Sequence, residues 1–343
     1  IENQENNGYP FSKIEFQTDS IKEYNIYGKL LLNKGKKILI DSIAIQGYKK
    51  FPNYLINRYI DISKKSLFSQ KKINSISNNI NTIDFIQEYK KNEILFSENK
   101  NIIYLYLKRK KNNYLDAFVG LNNYNNQLII LGKFHLNVSN TFHLFEKIEF
   151  KWEKSDEKSQ ELNFKFEIPY IFNSIFGLQT KLNILHFKNI YNKRELDLLL
   201  IIPIKNNNIN LGYLNKKSFV FTDNNPIQLK DFKSNFITLT WDRKHNDKYK
   251  LYFSIGLGRT EINKENFNRK HGKFLFQTSI QLFNSNFFFL KSRNELLIGD
   301  NILENEKVSI GGQNHLRGFL DNSFFSKSLT LISSSLYISA SSE

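Results

Sequence analysis

Glu161-Leu-Asn-Phe-Lys-Phe-Glu-Ile168 decides how the longer part of this chain folds. Leu162, Phe164, Phe166 and Ile168 fall on one side of an extended chain, and Glu161, Asn163, Lys165 and Glu167 on the other, because successive strand side chains point to opposite faces. A helix would scatter the four apolar residues around its circumference. The alternation recurs on both sides of this stretch. Ile148, Phe150 and Trp152 oppose Lys147, Glu149, Lys151 and Glu153; Ile237, Leu239 and Trp241 oppose Thr238, Thr240 and Asp242. Phe274, Phe276, Thr278, Ile280 and Leu282 do the same against Lys273, Gln277, Ser279 and Gln281. From Tyr114 onward there are about twelve such runs of roughly nine to twelve residues, the length of a tilted strand that crosses a bilayer. The segments between them are rich in Asn, Lys, Asp and Ser, as hairpin turns require.

A soluble β-sandwich also alternates, but its strands commonly run to about five or six residues. Composition favours the membrane barrel. With 31 Phe and 17 Tyr the chain is aromatic, yet its mean hydropathy is −0.46, as expected of strands with one apolar and one polar face. No apolar run reaches the ~20 residues of a spanning helix. The longest, Leu196–Ile204, contains Pro203. The absence of cysteine removes any disulfide framework or thiolate metal site. A net charge of +16 raises the question of nucleic acid, but Lys and Arg are dispersed along the chain, and the longest basic run, Lys108–Lys111, falls where two domains meet. Dispersed charge fits solvated faces and anionic lipid headgroups, not a nucleic-acid surface.

The first third reads differently. Ile1–Asn7 has the composition of a helix end, with Gly8 and Pro10 as its stop, followed by strand-like runs Phe11–Thr18 and Tyr24–Asn33. Ile38–Gln46 alternates as a strand. Tyr54, Leu55, Tyr59 and Ile60 mark one face of a short helix. Ile73, Ile76, Ile80 and Ile83 make Gln70–Asp84 an amphipathic helix. Strands at Phe85–Lys90 and Asn101–Lys108 complete a strand-helix-helix-strand-strand unit that leaves an edge free to pair.

Near the C-terminus, Val308-Ser-Ile-Gly-Gly-Gln-Asn-His-Leu-Arg-Gly-Phe-Leu-Asp321 lies between the eleventh and twelfth runs, Phe287–Gly299 and Leu329–Ala340. Gly311, Gly312 and Gly318 let the backbone turn sharply and place Arg317 between Leu316 and Phe319. A guanidinium so placed seeks a carboxylate for a bidentate bond. The six histidines, 135, 143, 186, 245, 271 and 315, show no metal-ligand spacing, and no Gly-x-Ser-x-Gly nucleophile motif occurs.

These features resemble the BamA/TamA-type outer-membrane assembly superfamily, in which periplasmic POTRA domains precede a sixteen-stranded barrel. Residues 38–112 resemble a complete POTRA domain, and Glu5-Asn-Asn-Gly-Tyr-Pro-Phe11 resembles the junction inside a preceding one, so 1–37 is expected to be the C-terminal part of that domain. Leu136–Glu146 and the run ending at Trp152 are similar to the second-to-third strand region of TamA-like proteins. Trp241-Asp-Arg243 resembles a strand-end motif of the superfamily. Gly311–Phe319 resembles its VRGF/Y loop, with Leu316 in place of Val. The expected fold class is therefore α+β POTRA units followed, over 113–343, by an antiparallel transmembrane β-barrel with about twelve of sixteen strands present, in a chain cut at both ends.

The resemblance implies a lumen loop formed by Gly311, Gly312, Leu316, Arg317, Gly318 and Phe319, with the acidic partner of Arg317 on strands beyond Glu343. It implies a lateral-gate edge strand at Tyr114, Leu115, Asp116, Ala117, Phe118, Val119, Gly120 and Leu121, where Asp116 and Gly120 weaken the local ladder. It further implies a bacterial outer-membrane protein, its POTRA domains in the periplasm, that inserts clients by strand templating. The partners would be unfolded outer-membrane clients, outer-membrane lipid and accessory assembly subunits. No covalent chemistry, cofactor, metal or nucleic acid is expected. The alternatives are a two-partner-type secretion pore and, from a different class, an outer-membrane enzyme or porin.

Overall fold

The computed structural model describes the chain except residues 50, 125–126, 155, 172–173, 205–206, 222–228, 246–248, 283–285, 312–315, 317, 320–322 and 339–343. It divides into two compact units, Ile1–Asn112 and Asn113–Glu343.

The first unit opens with α1 (Glu2–Asn6) and a hairpin of β1 (Lys13–Lys22) and β2 (Asn25–Asn33). Next come β3 (Leu39–Ile40), β4 (Ser42–Gln46), α2 (Asn53–Ile60), β5 (Ser66–Leu67), α3 (Gln70–Ile80), β6 (Ile86–Phe96) and β7 (Asn101–Arg109). β7 is the central strand, parallel to β4 and antiparallel to β6. The strand expected over 38–46 breaks at Asp41, where the chain changes partner from β5 to β7. The Asp41 carboxylate accepts from Asn101 N at 2.7 Å and fixes that switch. α3 starts at Ser69, whose hydroxyl accepts from Lys72 N, and stops earlier than the periodicity of 70–84 suggests. Thr82 Oγ1 donates to Asn79 O at 2.6 Å and closes the helix with a turn, while Ile83 beyond it remains buried. The core joins Leu55, Ile56 and Ile60 of α2 and Ile76 and Ile80 of α3 with Ile103, Leu105 and Leu107 of β7, none more than 2% exposed. Each such side chain contributes about 1.5–3 kcal/mol on burial.

The second unit is one antiparallel sheet of twelve strands. In chain order they are β8 (Tyr114–Tyr124), β9 (Gln127–Ser139), β10 (Lys147–Lys154), β11 (Gln160–Ile168), β12 (Gly177–Phe187) and β13 (Tyr191–Ile204). Then come β14 (Asn207–Val220), β15 (Phe232–His245), β16 (Tyr249–Ile262), β17 (Glu265–Gln281) and β18 (Phe287–Ile298). A 3-10 turn (Glu304–Glu306) and a small hairpin, β19 (Val308–Ile310) with β20 (Phe324–Ser326), intervene before β21 (Ser328–Tyr337), the twelfth sheet strand. Neighbours in sequence are neighbours in the sheet throughout, with β21 on β18. The expected eleventh and twelfth runs are thus β18 and β21. Strands run from 8 to 17 residues, a wider range than the expected nine to twelve. At the β16–β17 turn, Asn263 and Lys264 both have positive φ, +51° and +70°, the pair that a tight hairpin requires.

The sheet is not closed. Among the described residues β8 pairs with β9 alone and β21 with β18 alone. Alternation places opposite chemistry on its two faces. Ile237, Leu257, Leu211 and Leu239 stand outward and 49–68% exposed. Inward lie Lys151, Lys165, Lys181, Glu195, Lys216 and Lys273. A contiguous exposed apolar band this wide is what a lipid-facing surface looks like. Among the described residues no helix is long and apolar enough to cross a membrane.

Candidate functional site

Three features of the second unit are candidates: the free edge of β8, the charged concave face, and the connection from β18 to β21.

The expected edge residues, Tyr114 to Leu121, all lie in β8, which continues to Tyr124. Leu115, Val119 and Leu121 project outward and are 61–68% exposed. On the inner face Phe118 lies over Gly120, its ring carbons 3.3 Å from where a Cβ would stand, and Asp116 is opposite His135. The backbone groups of β8 that face away from β9 have no strand to pair with among the described residues. Such a row of donors and acceptors is a template for another extended chain.

The concave face is an aqueous surface with a cavity of about 880 Å³. Many of its charges are paired, within a strand or across neighbouring ones, although Lys165 stands opposite Lys181 and Glu153 opposite Glu161. Lys151 pairs with Glu149 at 2.5 Å, Lys165 with Glu167 at 2.9 Å and Lys181 with Asp197 at 3.7 Å. Glu195 bridges Lys193 and Lys216, and Glu295 bridges Lys273 and Arg293. These carboxylates offset the repulsion between inward lysines such as Lys165 and Lys181, since opposite charges on neighbouring strands support a sheet. The face can contact a polar chain, and among the described residues no group of three or more His, Cys, Asp and Glu could hold a metal.

The connection after β18 leaves from the end of the sheet opposite the start of β8, as does every connection that follows an odd-numbered strand of the twelve. It folds back over the concave face. Ile302 packs on Leu214, Phe236 and Leu297, and Leu303 on Phe232 and Ile262. Phe325 of β20 reaches Leu185, Phe187 and Tyr191 of the β12–β13 hairpin. Of the six loop residues singled out by sequence, Gly311 is buried with φ +140°, Leu316 is half-buried, and Gly318 has φ +88°. Phe319 is half exposed and meets the Phe324 ring edge-on at 5.0 Å. Gly312 and Arg317 lie outside the described residues. The Asp-x-Arg-like strand end sits in β15, where Asp242 accepts from Asn208 and Asn210 of β14 at 2.8 and 2.9 Å.

The root of this connection holds a pair that sequence reading missed. Arg269 of β17 is 1% exposed and Glu306 is 6% exposed. Nε and Nη2 of Arg269 donate to the two carboxylate oxygens at 3.0 and 2.9 Å. Nothing local distinguishes Arg269 from the other 48 Lys and Arg residues, and its partner is 37 positions away. The only sequence signal is its inward phase, shared with His271 and Lys273.

In the first unit the sheet face away from the helices carries Tyr89, Tyr104 and Tyr106, with Glu93 bonded to both Lys90 (2.6 Å) and Tyr106 Oη (2.5 Å). Lys90, and secondarily Tyr106, hold the Glu93 carboxyl below its ordinary range; the same contact with Glu93 raises Lys90 and Tyr106. A depressed folded-state value means the contribution is present above the unfolded carboxyl pKa and is lost as pH falls through the folded value. Lys90→Ala is expected to move the Glu93 carboxyl titration upward in an NMR pH series. An unchanged curve would show that the contact is not kept in solution.

The twelve-stranded antiparallel order, with its two unlike faces and inward-folded connection, is that of a β-barrel-like sheet that is not closed. Solved proteins of this fold include BamA from Haemophilus ducreyi lacking POTRA domains 1–3, 14% identical, with a TM-score of 0.54 over 94% of this chain and 68% of that one. CdiB from Acinetobacter baumannii is 13% identical, with a TM-score of 0.59 over 98% of this chain and 66% of that one. The chain thus spans about two thirds of the length of either. No protein-family model and no curated protein sequence matches it.

Proposed function

We propose that the chain is part of an outer-membrane assembly factor that inserts client β-barrels by offering the β8 edge as a template. The supporting observation is the free edge itself, on a sheet whose outward face is apolar and whose inner face is charged. A nascent hairpin can add to that edge through backbone bonds alone, so clients of many sequences are served. In this reading the protein resides in the bacterial outer membrane, with unit Ile1–Asn112 in the periplasm. Residues 38–112 act there as a POTRA domain and 1–37 as the end of a preceding one, in keeping with the strand-helix-helix-strand-strand order. Unfolded outer-membrane proteins, lipid and accessory subunits are the partners. No covalent step is involved.

The test uses the full-length protein in liposomes, with client folding followed by heat-modifiable mobility. Along an antiparallel strand successive N–H groups point to opposite sides, so one of Val119→Pro and Gly120→Pro removes a donor from the free edge. That variant should leave the barrel folded and slow insertion at least tenfold. Wild-type insertion by both variants would sink the templating mechanism. The similarity to CdiB keeps a second reading, a secretion pore exporting one partner through the barrel. Loss of passenger export with client insertion intact would select it.

A further inference from the structure

We infer that Arg269 is a positioning residue that seats the root of the 299–327 connection on the concave face, with Glu306 as its dedicated partner. A guanidinium has five N–H groups. Here all five are used: two on Glu306, two from Nη1 on the carbonyls of Asn268 (3.2 Å) and Asp300 (2.7 Å), and one from Nη2 on Asn301 O (3.2 Å). Glu306 is equally occupied. Besides the arginine it accepts from Thr260 Oγ1 at 2.9 Å and from Leu303 N at 3.0 Å. Thr260 is in turn bonded to Ser234 at 2.7 Å. Next to it Asn305 donates to Ser218 Oγ and to Lys230 O. The root is therefore hydrogen-bonded to β14, β16 and β17 and packed on Phe232 of β15 through Leu303, inside the sheet and on neither edge strand. Gly299 makes room for this: a Cβ there would lie 2.8 Å from Arg269 Nη1 and 2.6 Å from Asn268 O.

A buried ion pair gives little stability over a well-packed apolar pair of the same volume, whereas either partner left alone is heavily penalised. What such a pair supplies is a choice of position. Any other seating of Glu304–Glu306 would strand a buried charge. The apolar contacts of Ile302, Leu303 and Phe325 are less selective and tolerate sliding. Because the stitched strands exclude β8 and β21, the free edges can rearrange while the root stays in place.

The inference rests on the barrel sheet and not on any client, so its test is read without insertion activity. The chain has no cysteine, and Ser309→Cys in β19 supplies a single thiol just past the root. Its labelling rate by a membrane-impermeant maleimide is measured in the full-length protein in membranes, beside heat-resistant mobility as the readout of the folded barrel. Arg269→Ala and Glu306→Gln are expected to raise labelling at least tenfold. Arg269→Lys, which keeps the charge but not the fork, should rescue little. The deciding variant is Arg269→Met with Glu306→Leu: heat resistance returns toward wild type while labelling stays raised. Wild-type labelling in that folded double variant would overturn the inference and assign the seating to the apolar contacts. Failure of the double variant to reach a heat-resistant barrel would also overturn it, by assigning the pair to folding of the sheet.

Discussion

Gly258→Val is expected to keep the protein from reaching a heat-resistant barrel. In the β15–β16 ladder Gly258 stands opposite Phe236, and a Cβ at 258 would lie 2.1 Å from Asn235 O, 2.7 Å from Phe236 Cδ1 and 2.8 Å from Cγ. The first of these atoms is backbone, held by the ladder, and cannot withdraw without breaking strand pairing at the middle of the sheet. Phe236 is itself 3% exposed and packs with Leu214, Leu297 and Ile302, so its ring moves only by giving up those contacts. Overpacking commonly costs about 1–3 kcal/mol, and more when the obstacle is rigid; the upper end, about 3 kcal/mol, applies here. Gly272→Ala is the control. Its Cβ would meet only Leu296 Cβ, at 3.9 Å, and should change stability by about 0.5 kcal/mol or less. Urea unfolding in detergent, followed by tryptophan fluorescence, separates the two. Equal midpoints would show that the inner packing around Phe236 is looser than described.

Glu146→Ala should have the second-largest effect, and it acts on the turn between β9 and β10. Asn140, His143 and Phe145 there hold positive φ of 53°, 60° and 61°, conformations that cost of order 1–3 kcal/mol for non-glycine residues unless enforced. The enforcer is a fully buried carboxylate. Glu146 accepts from Phe142 N at 2.7 Å and from Leu144 N at 3.0 Å, while Asn140 closes the turn through Phe145 N and Glu146 O. Bonds to a charged acceptor are worth about 1.5–3 kcal/mol each. Losing both, with the strain unrelieved, should cost about 3 kcal/mol and open 140–146 to protease. Glu146→Gln keeps the shape but offers one acceptor in place of two and should fall between. A variant as stable and protease-resistant as the parent would mean that the strained turn is held by something other than Glu146.

Much of this architecture was legible in the order of residues. Phe164 and Phe166 against Lys165 and Glu167 already assign an outward and an inward face, and the structure keeps that assignment across β10, β11, β15 and β17. The phase is legible because a strand has a period of two and one residue of slip would reverse every side chain. Helix limits were less legible. Ile83 continues the spacing of Ile73, Ile76 and Ile80, yet the helix ends at Ile80 because Thr82 and Asn81 turn back onto Asn79 and Ser77. Side-chain competition of that kind leaves hydrophobic periodicity unchanged. The break at Asp41 escaped for a similar reason: a partner exchange between β5 and β7 does not disturb alternation.

By itself the sequence determined that the longer part is a succession of about twelve strands, which face of β10, β11, β15 and β17 is apolar, and that the glycine-rich segment lies between the eleventh and twelfth strands. Those properties depend on neighbours two residues apart. Only the tertiary structure decided that the sheet stays open between β8 and β21, and that the buried arginine at the root of the connection is Arg269. Pairing among 49 cations and 33 carboxylates is set by which side chains the strand register and the returning connection bring within hydrogen-bond reach. Arg269 and Glu306, 37 residues apart, meet because β18 carries the chain away and the 3-10 turn brings it back over β17. No local pattern records that return.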